Sequence, residues 1–187
     1  MSDSFDQIVE RAFDFLNHNH GFRPVEKERS TVVYDSPKIY ISLFYDDQRS
    51  FEVSLGLGQK HDPNPSYTFE EILRSQSVPF SLWPSGYSAK NLVDAQHLLE
   101  KMSKIVSGYA ITLLEGDNDT WERISAQRRV DCLNYAASTS LANAKRAADI
   151  AWAAKDYVKV VKALRSVEPS LSKTDLAKLA YAKQFLK

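Results

Sequence analysis

Lys38-Ile39-Tyr40-Ile41-Ser42-Leu43-Phe44-Tyr45, then Asp46-Asp47-Gln48-Arg49, then Ser50-Phe51-Glu52-Val53-Ser54-Leu55-Gly56-Leu57 is the stretch that decides the fold. In the first run Ile39, Ile41, Leu43 and Tyr45 recur every second residue. In the second, Phe51, Val53, Leu55 and Leu57 do the same. A period of two places one set of side chains on one face of a strand, so each run predicts a strand with one buried face. The four polar residues between them suit a tight reversal, and Ser36-Pro37 suits another after a shorter alternating run at Thr31 to Asp35. The expectation is a three-stranded antiparallel meander. So small a sheet needs a cover.

Upstream, the apolar residues Phe5, Ile8, Val9, Ala12, Phe13 and Leu16 are spaced three and four apart, which predicts a helix with one apolar stripe. Ser4 can cap its start and Gly21 can close its end, and the stripe can lie on the sheet. Arg23 to Arg29 reads as a charged connection. Downstream, Gly58 to Ser66 reads as a polar loop, with Gly56-Leu57-Gly58-Gln59-Lys60 as a strand end because it lacks phosphate-loop spacing. Thr68-Phe69-Glu70-Glu71 has the form of a capping box and predicts a short helix to about Arg74. A long helix is expected from Ser88 to Glu115, ended by Gly116, and helices over about 120–138, 140–154, 156–167 and 173–186 follow. The fold class is therefore α+β: an N-terminal helix on a three-stranded antiparallel meander, a long central helix and an all-helical C-terminal part. The expected domains are 1–116 and a helical region 117–187.

Composition narrows the function. Of 187 residues 43% are apolar and 26% charged, a mixture that builds a core. One cysteine, Cys132, cannot form an internal disulfide or a cysteine-based zinc site, and reads as a small apolar helix residue. No basic start leads into a long apolar run and no span of eighteen apolar residues occurs, so a cytoplasmic location and no membrane partner are expected. Net charge is zero, without the basic excess of a nucleic-acid binder. Arg123, Arg128, Arg129, Lys145 and Arg146 are interspersed with Asp117, Asp119, Glu122 and Asp131, so nucleic-acid binding is disfavoured. Residues 1 to 87 nevertheless carry 13 acidic and 8 basic side chains. Either the two halves dock on each other or the acidic half faces a basic partner.

The candidate site residues are Phe80, Trp83 and Tyr87. Pro79 and Pro84 exclude a regular element from residues 76–87, yet this loop carries four large apolar side chains, Phe80, Leu82, Trp83 and Tyr87. Trp and Tyr concentrate binding energy at interfaces, and prolines order a loop before it binds. The same residues could instead fold inward and seal one end of the sheet. The alternative is an enzyme whose site is assembled from His61, Asp62 and His18, although no nucleophile has a sequence context that ties it to them. No motif calls for a metal or cofactor. The expected function is thus protein binding by a non-enzymatic module, and the sequence carries no signal of oligomeric state.

Ala147-Ala148-Asp149-Ile150-Ala151-Trp152-Ala153-Ala154-Lys155-Asp156-Tyr157, running on to Leu164 and followed by Pro169 and Leu176 to Ala182, resembles a tetratricopeptide helical hairpin over about residues 140–186. Its small residues, its turn at Lys155-Asp156-Tyr157 and its later proline stand where that family has them. It departs from the pattern in lacking the turn glycine, in having Val160 for an alanine and in an early Pro169. The resemblance implies helical packing and protein binding, and a single copy forms no concave groove. The order of helix, meander, helix and helical tail is also similar to small bacterial proteins, including immunity proteins that neutralise toxins.

Overall fold

A computed structural model describes residues 3–62 and 66–186 of the chain. Part of the expected Gly58 to Ser66 loop, residues 63–65, lies outside the described residues. The chain divides into two compact units, residues 1–127 and 128–187.

The first unit holds a five-stranded antiparallel sheet in sequence order: β1 (Arg23–Lys27), β2 (Thr31–Asp35), β3 (Ile39–Tyr45), β4 (Val53–Gln59) and β5 (Tyr67–Thr68). The three central strands lie where the alternation places them. Ile41 pairs with Tyr34 on one side and Leu57 on the other, so the buried set of each strand lies on one face. The three-strand expectation is corrected at both edges. Arg23 to Lys27 is a strand although all five of its residues are exposed, because an edge strand needs only backbone pairing and has no buried face to print on its sequence. Tyr67 and Thr68 add two pairs beside Leu57 and Gly56, too short a run to show a period.

A further correction concerns Phe51. It takes a left-handed conformation, φ 55°, ahead of β4 and is 38% exposed, so it does not share the buried face of Val53, Leu55 and Leu57. The reversal is organised by Asp46, whose carboxylate accepts from the backbone N–H groups of Gln48, Arg49 and Ser50 and from the Ser50 hydroxyl. These donors hold the carboxyl down to about 2. Gly58 is required by close approach: a Cβ there would overlap the ring of Tyr40 on the neighbouring strand.

The N-terminal stripe forms two helices, α1 (Phe5–Ala12) and α2 (Asp14–His20), instead of one. At the break Leu16 N–H donates to the Phe13 carbonyl, which takes from the Ala12 carbonyl its ordinary helical donor. The hydroxyl of buried Ser103 donates to Ala12 in its place. Gly21, at φ 66°, closes α2 as expected, and Phe22 N–H returns to the Leu16 carbonyl.

The capping box forms: Thr68 N–H donates to Glu71 Oε2 at 2.8 Å and Glu71 N–H to Thr68 Oγ1 at 3.4 Å, opening α3 (Phe69–Ser75). The long helix begins later than expected, as α4 (Leu92–Tyr109) with Asn91 as its cap, because Ser88 is bridged to Glu52 of the sheet. It also ends before Glu115. Ala110 interrupts it, and a turn of helix, α5 (Ile111–Leu114), follows. Phe13, Leu16, Phe22, Ile41, Leu43, Leu57, Leu99 and Met102 are fully buried, so the core lies between the sheet and α1, α2 and α4.

From Asn118 a single helix, α6 (Asn118–Ala153), replaces the two expected at 120–138 and 140–154. Ser138-Thr139-Ser140 contains no Gly or Pro and so weakens the helix without ending it. The unit boundary lies within α6. In the second unit α7 (Tyr157–Arg165) and α8 (Lys173–Lys183) enclose a small core of Val160, Val161, Leu164, Leu179 and Ala182 with Ala148 and Ala151. Asp156 and Ser172 cap the two helices. The Asp175 carboxylate, almost buried, accepts from Ser172 and pairs with Lys145 at 2.8 Å. Trp152, Tyr157, Tyr181 and Phe185 cluster beside this core, the rings of Tyr157 and Phe185 stacked at 4.4 Å.

Candidate partner-binding site

The segment after α3 is held in place at several points. Val78 is buried and its N–H donates to the Leu73 carbonyl. Pro79 starts a single 3-10 turn over Phe80–Leu82, closed by Leu82 N–H to the Pro79 carbonyl and Trp83 N–H to the Phe80 carbonyl. The Trp83 indole N–H donates to the Val78 carbonyl at 3.0 Å, and Lys101 of α4 donates to the Trp83 carbonyl at 2.8 Å. Beyond Pro84 and Gly86 the chain joins the sheet. Val53 N–H donates to the Tyr87 carbonyl and Ala89 N–H to Phe51, both at 2.7 Å, and the Tyr45 hydroxyl donates to the Ala89 carbonyl at 2.8 Å.

The three candidate residues divide by exposure. Phe80 is 82% exposed, and Leu82 beside it is 39% exposed. Trp83 and Tyr87 are half-buried and pack on the main core, with the Phe80 and Trp83 rings 5.3 Å apart and Tyr87 edge-on to Phe69 at 6.2 Å. The loop thus neither folds wholly inward nor hangs free. Trp83 and Tyr87 anchor it, and Phe80 stands in water.

Tyr87 also walls a cavity of about 220 Å³ at the outer edge of β4. Between β5, which pairs with Gly56 and Leu57, and the Tyr87–Ala89 segment, which pairs around Glu52, the sheet edge is interrupted opposite Ser54. The cavity opens there, with buried Val53, Leu55, Phe69 and Met102 as its floor and Glu52 and Glu70 beside them. Burial raises the Tyr87 hydroxyl above the usual tyrosine range, and the charge of Glu70 adds to the effect while that of Arg74 offsets part of it. No sequence pattern marks Glu52, Glu70 and Met102 as a set, because the residue just before β4, α3 and α4 bring them together from distant parts of the chain.

The residues of the catalytic alternative lie on two parts of the first unit. His18 lies on α2, exposed, with Nδ1 3.0 Å from Asp14 Oδ1. His61 and Asp62 occupy the turn after β4. None of the three lines the cavity at Tyr87. Among the described residues no group of three or more His, Cys, Asp or Glu side chains is placed to hold a metal ion, and no helix is long and apolar enough to cross a membrane. Cys132 is exposed on α6. No protein-family model, no curated protein and no solved structure matches this chain.

Proposed function

We propose that the chain is a non-enzymatic protein-binding module of the inhibitor or immunity type, which acts by gripping a basic partner with the Phe80 to Tyr87 loop. The observation that carries the reading is Phe80. A large aromatic ring, 82% exposed at the tip of a loop whose backbone is tied down at both ends, contributes little to its own fold. Ordering that loop has an entropic cost that the fold bears before any partner arrives, which is how a preorganised binding loop gains affinity. Exposed aromatics of this kind are the side chains from which interfaces derive their energy. The acidic balance of residues 1 to 87 favours a partner of opposite sign. The resemblance of residues 140–186 to a tetratricopeptide hairpin in sequence favours the same class of role.

Phe80→Ala is the substitution that tests it. Tagged parent and variant proteins are used to capture partners from lysate of the source organism, and bound proteins are identified by mass spectrometry. The expected result is a protein retained by the parent and lost by a variant of unchanged melting temperature. Equal retention by both, or no retained protein in any growth condition, refutes the reading.

A further inference from the structure

We propose that the cavity beside Tyr87 receives an arginine side chain of the partner protein, an assignment that rests on the binding reading above and names the chemistry it selects. Size comes first. Cavities that hold small molecules measure about 300–1,000 Å³, and this one, at about 220 Å³, suits one side chain. Its two zones then specify which. The floor of Val53, Leu55, Phe69 and Met102 is apolar and buried, so it accepts a hydrocarbon stem. Glu52 and Glu70 line the same cavity, and the nine lining residues include no Lys, Arg or His. A stem on apolar surface with a cationic head at carboxylates is how long basic side chains are accommodated.

Arginine fits better than lysine. Its planar guanidinium can lie against the Tyr87 ring while its fork donates to a carboxylate, whereas an ammonium is a compact, strongly hydrated point charge. Glu70 already makes a loose pair with Arg74 of its own helix, 3.7 Å apart with both side chains about half exposed, and an incoming guanidinium can share that carboxylate. The cavity adjoins the aromatic loop through Tyr87.

The test uses the full chain labelled with nitrogen-15 and three blocked tripeptides, acetyl-Gly-Arg-Gly-amide, its citrulline counterpart and its lysine counterpart. The expected result is saturable movement of the Leu55, Phe69 and Tyr87 amide signals with the arginine peptide, weakened about tenfold by citrulline, which keeps the shape and loses the charge. Glu52→Gln and Glu70→Gln should each weaken arginine binding several-fold while leaving the remaining spectrum in place. Equal response to citrulline, equal response to lysine, or no localised response overturns the arginine assignment. Capture with Phe80→Ala separates this failure from a deeper one. A Phe80-dependent partner that excess arginine peptide does not displace leaves the binding reading standing without the pocket, and absence of any Phe80-dependent partner removes both.

Discussion

Ser103→Ala should destabilise the first unit. Ser103 lies 91 residues from Ala12 in sequence and its hydroxyl donates to the Ala12 carbonyl at the break between α1 and α2. That carbonyl has lost its helical donor, since Leu16 N–H turns to Phe13, and Ser103 itself is only 7% exposed. The variant therefore takes the side-chain donor from a part-buried carbonyl, which costs about 1 kcal/mol. For a unit of 127 residues this is a fall of about 3–6 °C in melting temperature per kcal/mol. Urea unfolding followed by tryptophan fluorescence in a Trp152→Phe background reads the first unit alone, because Trp83 and Trp121 both belong to it. Ser107→Ala is the control. Ser107 stands one turn later on the same helix and donates only to Lys104 of its own helix at 3.2 Å, so its loss should cost less than about 0.5 kcal/mol. If the two variants unfold at the same urea concentration, the break between α1 and α2 is not fastened by Ser103 and the account fails.

Other perturbations reach other joints of the fold. Gly21→Ala forces a side chain into the left-handed region at the end of α2 and should cost about 1–2 kcal/mol in the same unfolding assay. Tyr45→Phe removes the buried hydroxyl that holds the Ala89 carbonyl. A loss of about 1–3 kcal/mol, with faster amide exchange at Val53 and Ala89, is expected, whereas unchanged exchange would mean that the Tyr87–Ala89 segment is held by its backbone bonds alone. In the second unit Lys145, and then Ser172, hold the Asp175 carboxyl below the usual aspartate range. Because the folded value is depressed, its contribution is present above the unfolded value of about 4 and is lost as pH falls through the folded one. Asp175→Asn should therefore lower stability at neutral pH and flatten the acid limb of a titration followed by the Trp152 indole signal in nitrogen-15 spectra, and parallel acid limbs would count against the pairing.

How much of this was legible depends on whether a residue's surroundings are written near it in the chain. Ile39 to Tyr45 and Val53 to Leu57 face one core with one side, so their alternation is a direct image of burial. Thr68 and Glu71 satisfy each other three residues apart, and the capping box is local by nature. The break at Phe13 has no such image. Phe13 and Leu16 continue the helical stripe, and the reason the helix interrupts there includes a serine on a helix 91 residues further on. The continuity of α6 was masked by Ser138-Thr139-Ser140, which weakens a helix without stopping it. At the candidate site the loop announced itself through Pro79, Pro84 and its aromatic residues, but which of those rings meets water is decided by the indole bond of Trp83 to Val78 and by the bridge at Ser88. The carboxylates and Met102 around the cavity have neighbours only in three dimensions.

The exposed first strand also bears on how the protein behaves in a crowded solution. An open sheet edge invites a stranger's strand, and identical chains in high concentration are the commonest strangers. Here that edge is Arg23-Pro24-Val25-Glu26-Lys27, where a proline lacks the donor a ladder needs, three charges lie along a five-residue strand, and the register slips between Pro24 and Glu26. Stacking of one copy on another through this strand is thereby discouraged at three separate points. On the opposite side β5 is two residues long and the interruption beside it is too short to template an added strand. Neither edge of the sheet therefore offers a long, flat template on which another copy could seed a fibre.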